Sequence, residues 1–344
     1  MGKPFATEGS EGSEGSEGSE GSEGSEGSEG STSSAVSGFG AWSGKRTTPL
    51  LATALITTQG ELTRGIVGIG GADLGSHTLT VAMAMRRWSP DVRAKLYAFE
   101  LDSGLYFKRN SKHHATLWAM STVPVPAGPG KLKANFEMIA ELRRPAYDYN
   151  GVPIPPTAPG KKLNVELEFV IQMAALRTDR MAEILTQIVD PVTYFATVLN
   201  LQPGRHRYTL ELMRAAFNFA SYAGQRFKHN FRVLRPGDRS ALVQPMIQTP
   251  GHSSYPAGHA VQMYLVKDAL AYLLGIAAGQ EKYDELELLA QRVSENRIVA
   301  GMHYKTDIDQ GASLGEQLAV YFNHKLTVAN SALNWLWTLA DAEW

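Results

Sequence analysis

The stretch 208-YTLELMRAAFNFASYAGQRFKH-229 sets apolar residues at helical spacing with charges between them, the pattern of a long amphipathic helix. The same period recurs on both sides. Upstream, 165-VELEFVIQMAALRTDRMAEILTQIVD-190 reads as helix, Pro191 restarts the chain into 193-TYFATVLNL-201, and Pro203-Gly204 ends that segment. Downstream, Pro236-Gly237 stops the chain, residues 237–256 read as a loop, and helices are predicted over about 258–278, 283–300 and, as a group, 304–340. Segments 78–88 and 93–107 also read as helical, with room for short strands around 115–140. The run 144-RPAYDYNGVPIPPTAPGKK-162 holds five prolines and is predicted to be a long loop. Long helices joined by Pro/Gly loops, without an alternating strand pattern, predict an all-α fold with a helical-bundle core.

Composition narrows the function. The chain has 344 residues, no cysteine, and a formal net charge of -1 from 33 Lys+Arg and 34 Asp+Glu. There is no disulfide framework, thiolate metal site or cysteine nucleophile to consider, and no basic surplus to suggest nucleic acid as a partner. The most apolar stretch, 260-AVQMYLVKDALAYLLGIAAG-279, carries Lys267 and Asp268 at its middle. It is expected to be a buried helix of a water-soluble protein, with no membrane partner. Residues 8–31 are eight Glu-Gly-Ser triplets, so 1–34 is expected to be a disordered tail and 35–344 one helical catalytic domain. Met1 to Thr7 shows no apolar signal-peptide region, which predicts a cytoplasmic protein, or a secreted or periplasmic one if a signal has been removed.

Three segments concentrate ionisable side chains. In 228-KHNFRVLRP-236, Lys228 and Arg235 stand seven residues apart, about two helical turns, so both cations can point to one side. Pro236 disfavours helix at Arg235 and places it at a helix end. In 250-PGHSSYPAGHA-260, Pro256 and Gly258 turn the chain into a helix beginning near His259, where free N–H groups favour an anion. In 297-RIVAGMHYKTD-307, His303 and Asp307 share a face if helical, and the carboxylate can hold one imidazole nitrogen as N–H while exposing the other. Gly311 and Gly315 continue that stripe and let another helix approach closely. Alone, each segment reads as a solvated face or a loop. Together they place three cations, two histidines and one orienting carboxylate in order within 80 residues. Their shared use is to hold a tetrahedral oxyanion of two or three charges, with Arg pairing bidentately and Lys acting as a point charge.

These segments resemble the three signature motifs of the type 2 phosphatidic acid phosphatase and vanadium haloperoxidase superfamily. The motifs are Lys-six residues-Arg-Pro, then Pro-Ser-Gly-His, then Ser-Arg-five residues-His-three residues-Asp. The match covers 228–307, roughly a quarter of the chain. It implies an all-α fold in which Lys228, Arg235 and Arg297 bind oxyanion oxygens and Gly258 offers its backbone N–H. It further implies that His259 is the acid–base residue, that His303 is the phosphate acceptor or the axial ligand of vanadium, and that Asp307 orients His303. Ala257 stands where the family usually has a Ser that bonds an oxyanion oxygen. That loss is worth about 1.5–3 kcal/mol of binding. Asn296 replaces the Ser before Arg297, with little expected effect.

Within the superfamily, 249-TPGHSSYPAGHA-260 and 296-NRIVAGMHYKTD-307 are similar to bacterial vanadium haloperoxidases. His252, seven residues before His259, matches the bromoperoxidases. The resemblance therefore implies a vanadium-dependent haloperoxidase that oxidises bromide or iodide with hydrogen peroxide to hypohalous acid. Vanadate would be the cofactor, with phosphate able to occupy the same cradle. Lys228 would polarise the peroxide, an organic acceptor would be halogenated, and the protein would form a homo-oligomer, as a dimer. The alternatives are a soluble acid phosphatase working through phosphohistidine and a non-catalytic oxyanion-binding protein. Trp335, Trp337 and Trp344 are expected in a core or interface, and His113, His114 and His206 on the surface.

Overall fold

The computed structural model describes residues 80–111, 113–120, 125–128, 131–133, 136–143 and 159–344. The Glu-Gly-Ser tail, the first part of the domain expected from residue 35 and most of the Pro-rich run 144–162 lie outside them.

Helices dominate, as the periodicity predicts. They are α1 (Val81–Arg87), α2 (Pro90–Asp102), α3 (Pro159–Met173), α4 (Arg177–Val189), α5 (Thr193–Val198) and α6 (Arg207–Phe231). The rest are a single turn α7 (Pro236–Arg239), then α8 (Gly258–Leu274), α9 (Glu281–Val299), α10 (Lys305–Leu326) and α11 (Ala332–Asp341). The stretch 165–190 is not one helix, because a 3-10 turn at Ala174–Leu176 divides α3 from α4.

A small sheet accompanies the helical core, in and around the 115–140 region where short strands were expected. Strands β1 (Leu105–Ser111), β2 (His114–Met120) and β5 (Phe136–Arg143) form an antiparallel sheet in the order β1-β2-β5. Strands β3 (Val125–Gly128) and β4 (Lys131–Lys133) pair separately. The helix expected over 93–107 stops at Asp102 because Gly104 takes φ +85, from which the chain turns into β1. The sheet leans on the bundle through β5. The Gln317 amide of α10 accepts from Glu141 N–H at 2.8 Å and donates to Glu141 C=O at 3.3 Å, standing in for a neighbouring strand.

The core is centred on α8, which is buried on nearly every side and packs against α6, α9 and α10. Lys267 survives inside it by pairing with Glu287 at 2.6 Å and Asp268 at 3.0 Å. Among the described residues no helix is long and apolar enough to cross a membrane. Arg93 clamps α2 to α6 with a two-pronged pairing to Glu211 at 2.6 and 2.7 Å. At the far end, Glu343 accepts from the Tyr208 and Thr209 N–H groups at 2.7 and 2.8 Å, capping the start of α6. His206 is therefore not a surface histidine. It is buried, and its ring stacks on Trp344 at 5.0 Å. His114 is half-buried and meets Glu141 at 2.8 Å, while His113 lies on the surface. Trp335 and Trp337 pack at the core edge.

Gly311 and Gly315 do what small residues on that stripe were expected to do. A Cβ on Gly311 would stand 2.7 Å from the Ala257 carbonyl oxygen, and one on Gly315 2.7 Å from that of Val261. On an exposed helix face Gly→Ala is stabilising by about 1 kcal/mol. Here the neighbour is main chain and cannot yield, so Gly311→Ala is predicted to destabilise by about 1–3 kcal/mol. A urea titration measures this as a lower midpoint at unchanged slope.

Candidate functional site

The residues singled out from the sequence gather where α6 ends and where α8 and α10 begin. α6 terminates at Arg232, whose left-handed φ of 51 lets its N–H reach the Lys228 carbonyl at 3.0 Å. Lys228 and Arg235 therefore do not share a helix, contrary to the two-turn reading. Arg235 lies past the break in extended backbone (φ -74, ψ 160), at the cap of α7, as Pro236 requires. The returning loop is stitched alongside. Val233 N–H donates to Ser253 Oγ and Ser254 N–H to the Val233 carbonyl, both at 2.8 Å. Lys228 Nζ then donates to the Ser253 carbonyl at 2.9 Å and the Ser254 carbonyl at 3.4 Å.

His303 is also not on a helix. It lies in the link before α10, while Asp307 sits in the first turn, where its Oδ2 accepts from Tyr304 N–H at 3.1 Å and caps the helix. The pairing expected from the four-residue step survives by a different geometry. His303 Nδ1 is 3.2 Å from Asp307 Oδ2, and Ser254 Oγ donates to that same oxygen at 2.5 Å. Arg235 Nη1 is 3.4 Å from His303 Nε2 and 3.1 Å from the Met302 carbonyl. A guanidinium has only donors and a carboxylate accepts, so the two contacts agree. The proton of neutral His303 resides on Nδ1, and Nε2 carries the lone pair.

His252 belongs to the same cluster. Its Nδ1 is 3.2 Å from Arg235 Nη2, and its main-chain carbonyl accepts from Arg235 Nε at 3.3 Å. The ring is half-buried, at the edge of the group.

A second cluster forms round Gln187 of α4. His259 Nε2 lies 3.2 Å from the Gln187 carbonyl, so it donates, leaving the lone pair on Nδ1. Arg297, in the last turn of α9, donates through Nη2 to Gln187 Oε1 at 3.0 Å and to the Ile184 carbonyl at 3.2 Å. The two clusters abut through main chain. Ala257 N–H donates to the Asp307 carbonyl at 2.9 Å, and Met302 N–H to the Arg297 carbonyl at 2.9 Å. Ala257 is the extended residue before α8 and Gly258 its first residue, so the start of the helix opens beside Asp307.

Burial governs the electrostatics. Lys228, Arg235, Arg297, His259, His303 and Asp307 are all within 2% of full burial. Burial pushes the Asp307 carboxyl above the ordinary carboxylate range, opposed by the Ser254 hydroxyl, the Tyr304 N–H and the charges of Lys228 and Arg235. Buried cations are costly unless their charge is met, and the Asp307 carboxyl lies within electrostatic reach of both Lys228 and Arg235.

Three partners carry no signal in the sequence. Ser254 looks like any loop serine, and Gln187 and Glu183 lie far upstream on what reads as an ordinary amphipathic helix. Asn296, expected to matter little, is fully buried. It donates to Glu183 Oε2 at 2.9 Å and Gln187 Oε1 at 3.1 Å, and accepts from Arg180 at 3.3 Å.

No family model matches the chain, and no curated protein matches it. Among solved structures it is similar to the first transmembrane PAP2 type phosphatidylglycerolphosphate phosphatase from Bacillus subtilis. Identity is 18% over 49% of this chain and 90% of that one, with a TM-score of 0.35. At that score the likeness decides neither fold nor activity, and the functional reading rests on the residues above.

The support of Arg297 is open to a pH test. Hydrogen bonding from Arg292, and after it from Asn296, holds the Glu183 carboxyl at about 2, below its usual 4.5. A depressed carboxylate stabilises the fold above its unfolded value and loses that contribution as pH falls towards its folded one. Wild type is predicted to exceed Glu183→Gln by about 1–2 kcal/mol near neutrality, after allowance for solvent screening. In denaturant titrations the gap should close between pH 4.5 and about 2.

Proposed function

We propose that the clusters round His303 and Gln187 bind one tetrahedral oxyanion, and that the chain is an enzyme, a vanadium-dependent haloperoxidase. The observation that carries the reading is the orientation of His303. Asp307 and Ser254 hold its Nδ1 side at 3.2 and 3.3 Å, and its lone-pair nitrogen faces Arg235. An imidazole so arranged is a ligand or a nucleophile directed into a cationic surround.

The donor set suits vanadate. Cations and one lone-pair imidazole fit an oxyanion, whereas a bare metal cation would call for a group of anionic ligands. Lys228, Arg235 and Arg297 would hold its oxygens, the Gly258 N–H at the start of α8 would add a neutral donor, and His303 Nε2 would be the protein ligand. When bound, vanadate would act as a Lewis acid that activates hydrogen peroxide without changing its own oxidation state. His259 Nδ1, its ring fixed by the Gln187 carbonyl, would exchange the proton that peroxide binding displaces. Asp307 would keep His303 in the ligating tautomer. Lys228 is the cation suited to polarise bound oxygen. The resemblance of His252 to the histidine of the bromoperoxidases supports bromide or iodide over chloride. Products and partners would be small: hypohalous acid and the organic acceptor it halogenates. Ala257 offers no hydroxyl to the anion, which weakens oxyanion affinity without removing a cation. Assembly as a homodimer belongs to this proposal.

The test is bromination of a β-diketone dye by the full chain with hydrogen peroxide and bromide, with and without orthovanadate. The expected outcome is vanadate-dependent bromination, abolished in His303→Ala and reduced about 100-fold or more in Asp307→Ala, which loses the tautomer. A parallel nitrophenyl phosphate assay on vanadium-free protein separates the phosphatase alternative. Phosphate release inhibited by vanadate, without bromination, would overturn the haloperoxidase reading in favour of a phosphohistidine mechanism at the same nitrogen.

A further inference from the structure

Gln187 stands in the last turn of α4, almost fully buried, and the oxyanion mechanism gives its side chain no task. Yet it joins two of that mechanism's residues. Its main-chain oxygen accepts from His259 Nε2 at 3.2 Å, and its Oε1 accepts from Arg297 Nη2 at 3.0 Å. Oε1 also accepts from Asn296 Nδ2 at 3.1 Å. Side chains from α8 and α9 are thus held by one residue of a third helix.

The chemistry of that acceptor matters. A carboxylate at this position would bind the guanidinium in a charge-assisted pair, more strongly than an amide does. It would also set a negative charge against any anion on Arg297. An amide holds the guanidinium in place without adding a negative charge of its own. A carboxylate does stand nearby. Glu183 is one turn back on the same helix, where Arg292 takes it at 2.8 Å and Asn296 comes between it and Gln187. Among the described residues, Arg180 and Glu295 also stand at this corner, 3.7 Å apart.

We propose that Gln187 is a positioning residue: it aims His259 and Arg297 at a common anion through neutral acceptors, and its lack of charge is what keeps Arg297 competent. The inference rests on the oxyanion reading above and adds to it a specific requirement at one residue outside the three motifs.

Two variants separate a neutral tether from a merely structural hydrogen bond. Gln187→Met keeps the shape and removes the acceptor, whereas Gln187→Glu keeps the acceptor and adds the charge. Binding of inorganic phosphate and of orthovanadate to the full chain is measured by equilibrium dialysis, beside the thermal midpoint of each variant. The proposal expects severalfold weaker binding in Gln187→Met and a larger loss, about tenfold or more, in Gln187→Glu. It also expects the His259 imidazole, followed by NMR, to titrate at higher pH in Gln187→Glu than in wild type. A structural role alone predicts the reverse order, with Gln187→Glu close to wild type, and that order would overturn the inference. Should Gln187→Glu fail to fold, wild-type affinity in Gln187→Met would overturn it by itself. Wild type that binds neither anion would instead sink the oxyanion reading, and the inference with it.

Discussion

α8 and α10 touch main chain to main chain. Gly311 and Gly315 have no side chains to hold the helices apart, so the carbonyls of Ala257 and Val261 fill the space a Cβ would need. The Ala257 N–H then reaches the Asp307 carbonyl at 2.9 Å, tying the start of one helix to the first turn of the other. Much else follows from that contact. It brings the opening turn of α8, with Gly258 and His259, beside the turn whose carboxylate orients His303. A Cβ at either glycine would lie well inside van der Waals contact, and separating the helices to relieve it would stretch the 2.9 Å bond from Ala257 to Asp307.

Around this contact the protein buries a large amount of charge. Three cations, two imidazoles and a carboxylate lie almost fully out of water. In such surroundings each hydrogen bond also decides protonation. Arg235 can only donate, so it fixes the lone pair on His303 Nε2. Asp307 and the Gln187 carbonyl take up the opposite ring nitrogens of His303 and His259. The two histidines in the motifs therefore carry their lone pairs on different atoms, Nε2 in one and Nδ1 in the other. In the proposed function, ligation or attack would fall to the first and proton exchange to the second.

The helices were legible from periodicity because each buries a continuous apolar stripe. The sheet was less so, since β1, β2 and β5 are each at most eight residues long and owe their pairing to partners distant in sequence. The break in 165–190 and the helix stop at Asp102 show the same limit. The first is a 3-10 turn within a helical pattern, and the second depends on one glycine whose positive φ the periodicity does not report.

For the site, the sequence by itself determined the cast and its order: Lys228, Arg235, His252, His259, Arg297, His303 and Asp307, in segments whose joint reading points to an oxyanion. Residue types and spacing carry that information because charge and proton affinity belong to the side chains themselves. Only the tertiary structure decided how they meet. His303 and Asp307 pair across a helix start and not along a helix face, and Lys228 and Arg235 sit on opposite sides of the end of α6. Gln187, Ser254 and Asn296 become partners only when α4, the 240–257 loop and α9 close on the same point. Tautomer and hydrogen-bond direction are properties of that closure, because they depend on which donor or acceptor stands within about 3 Å, and distance across a fold is not written in local sequence.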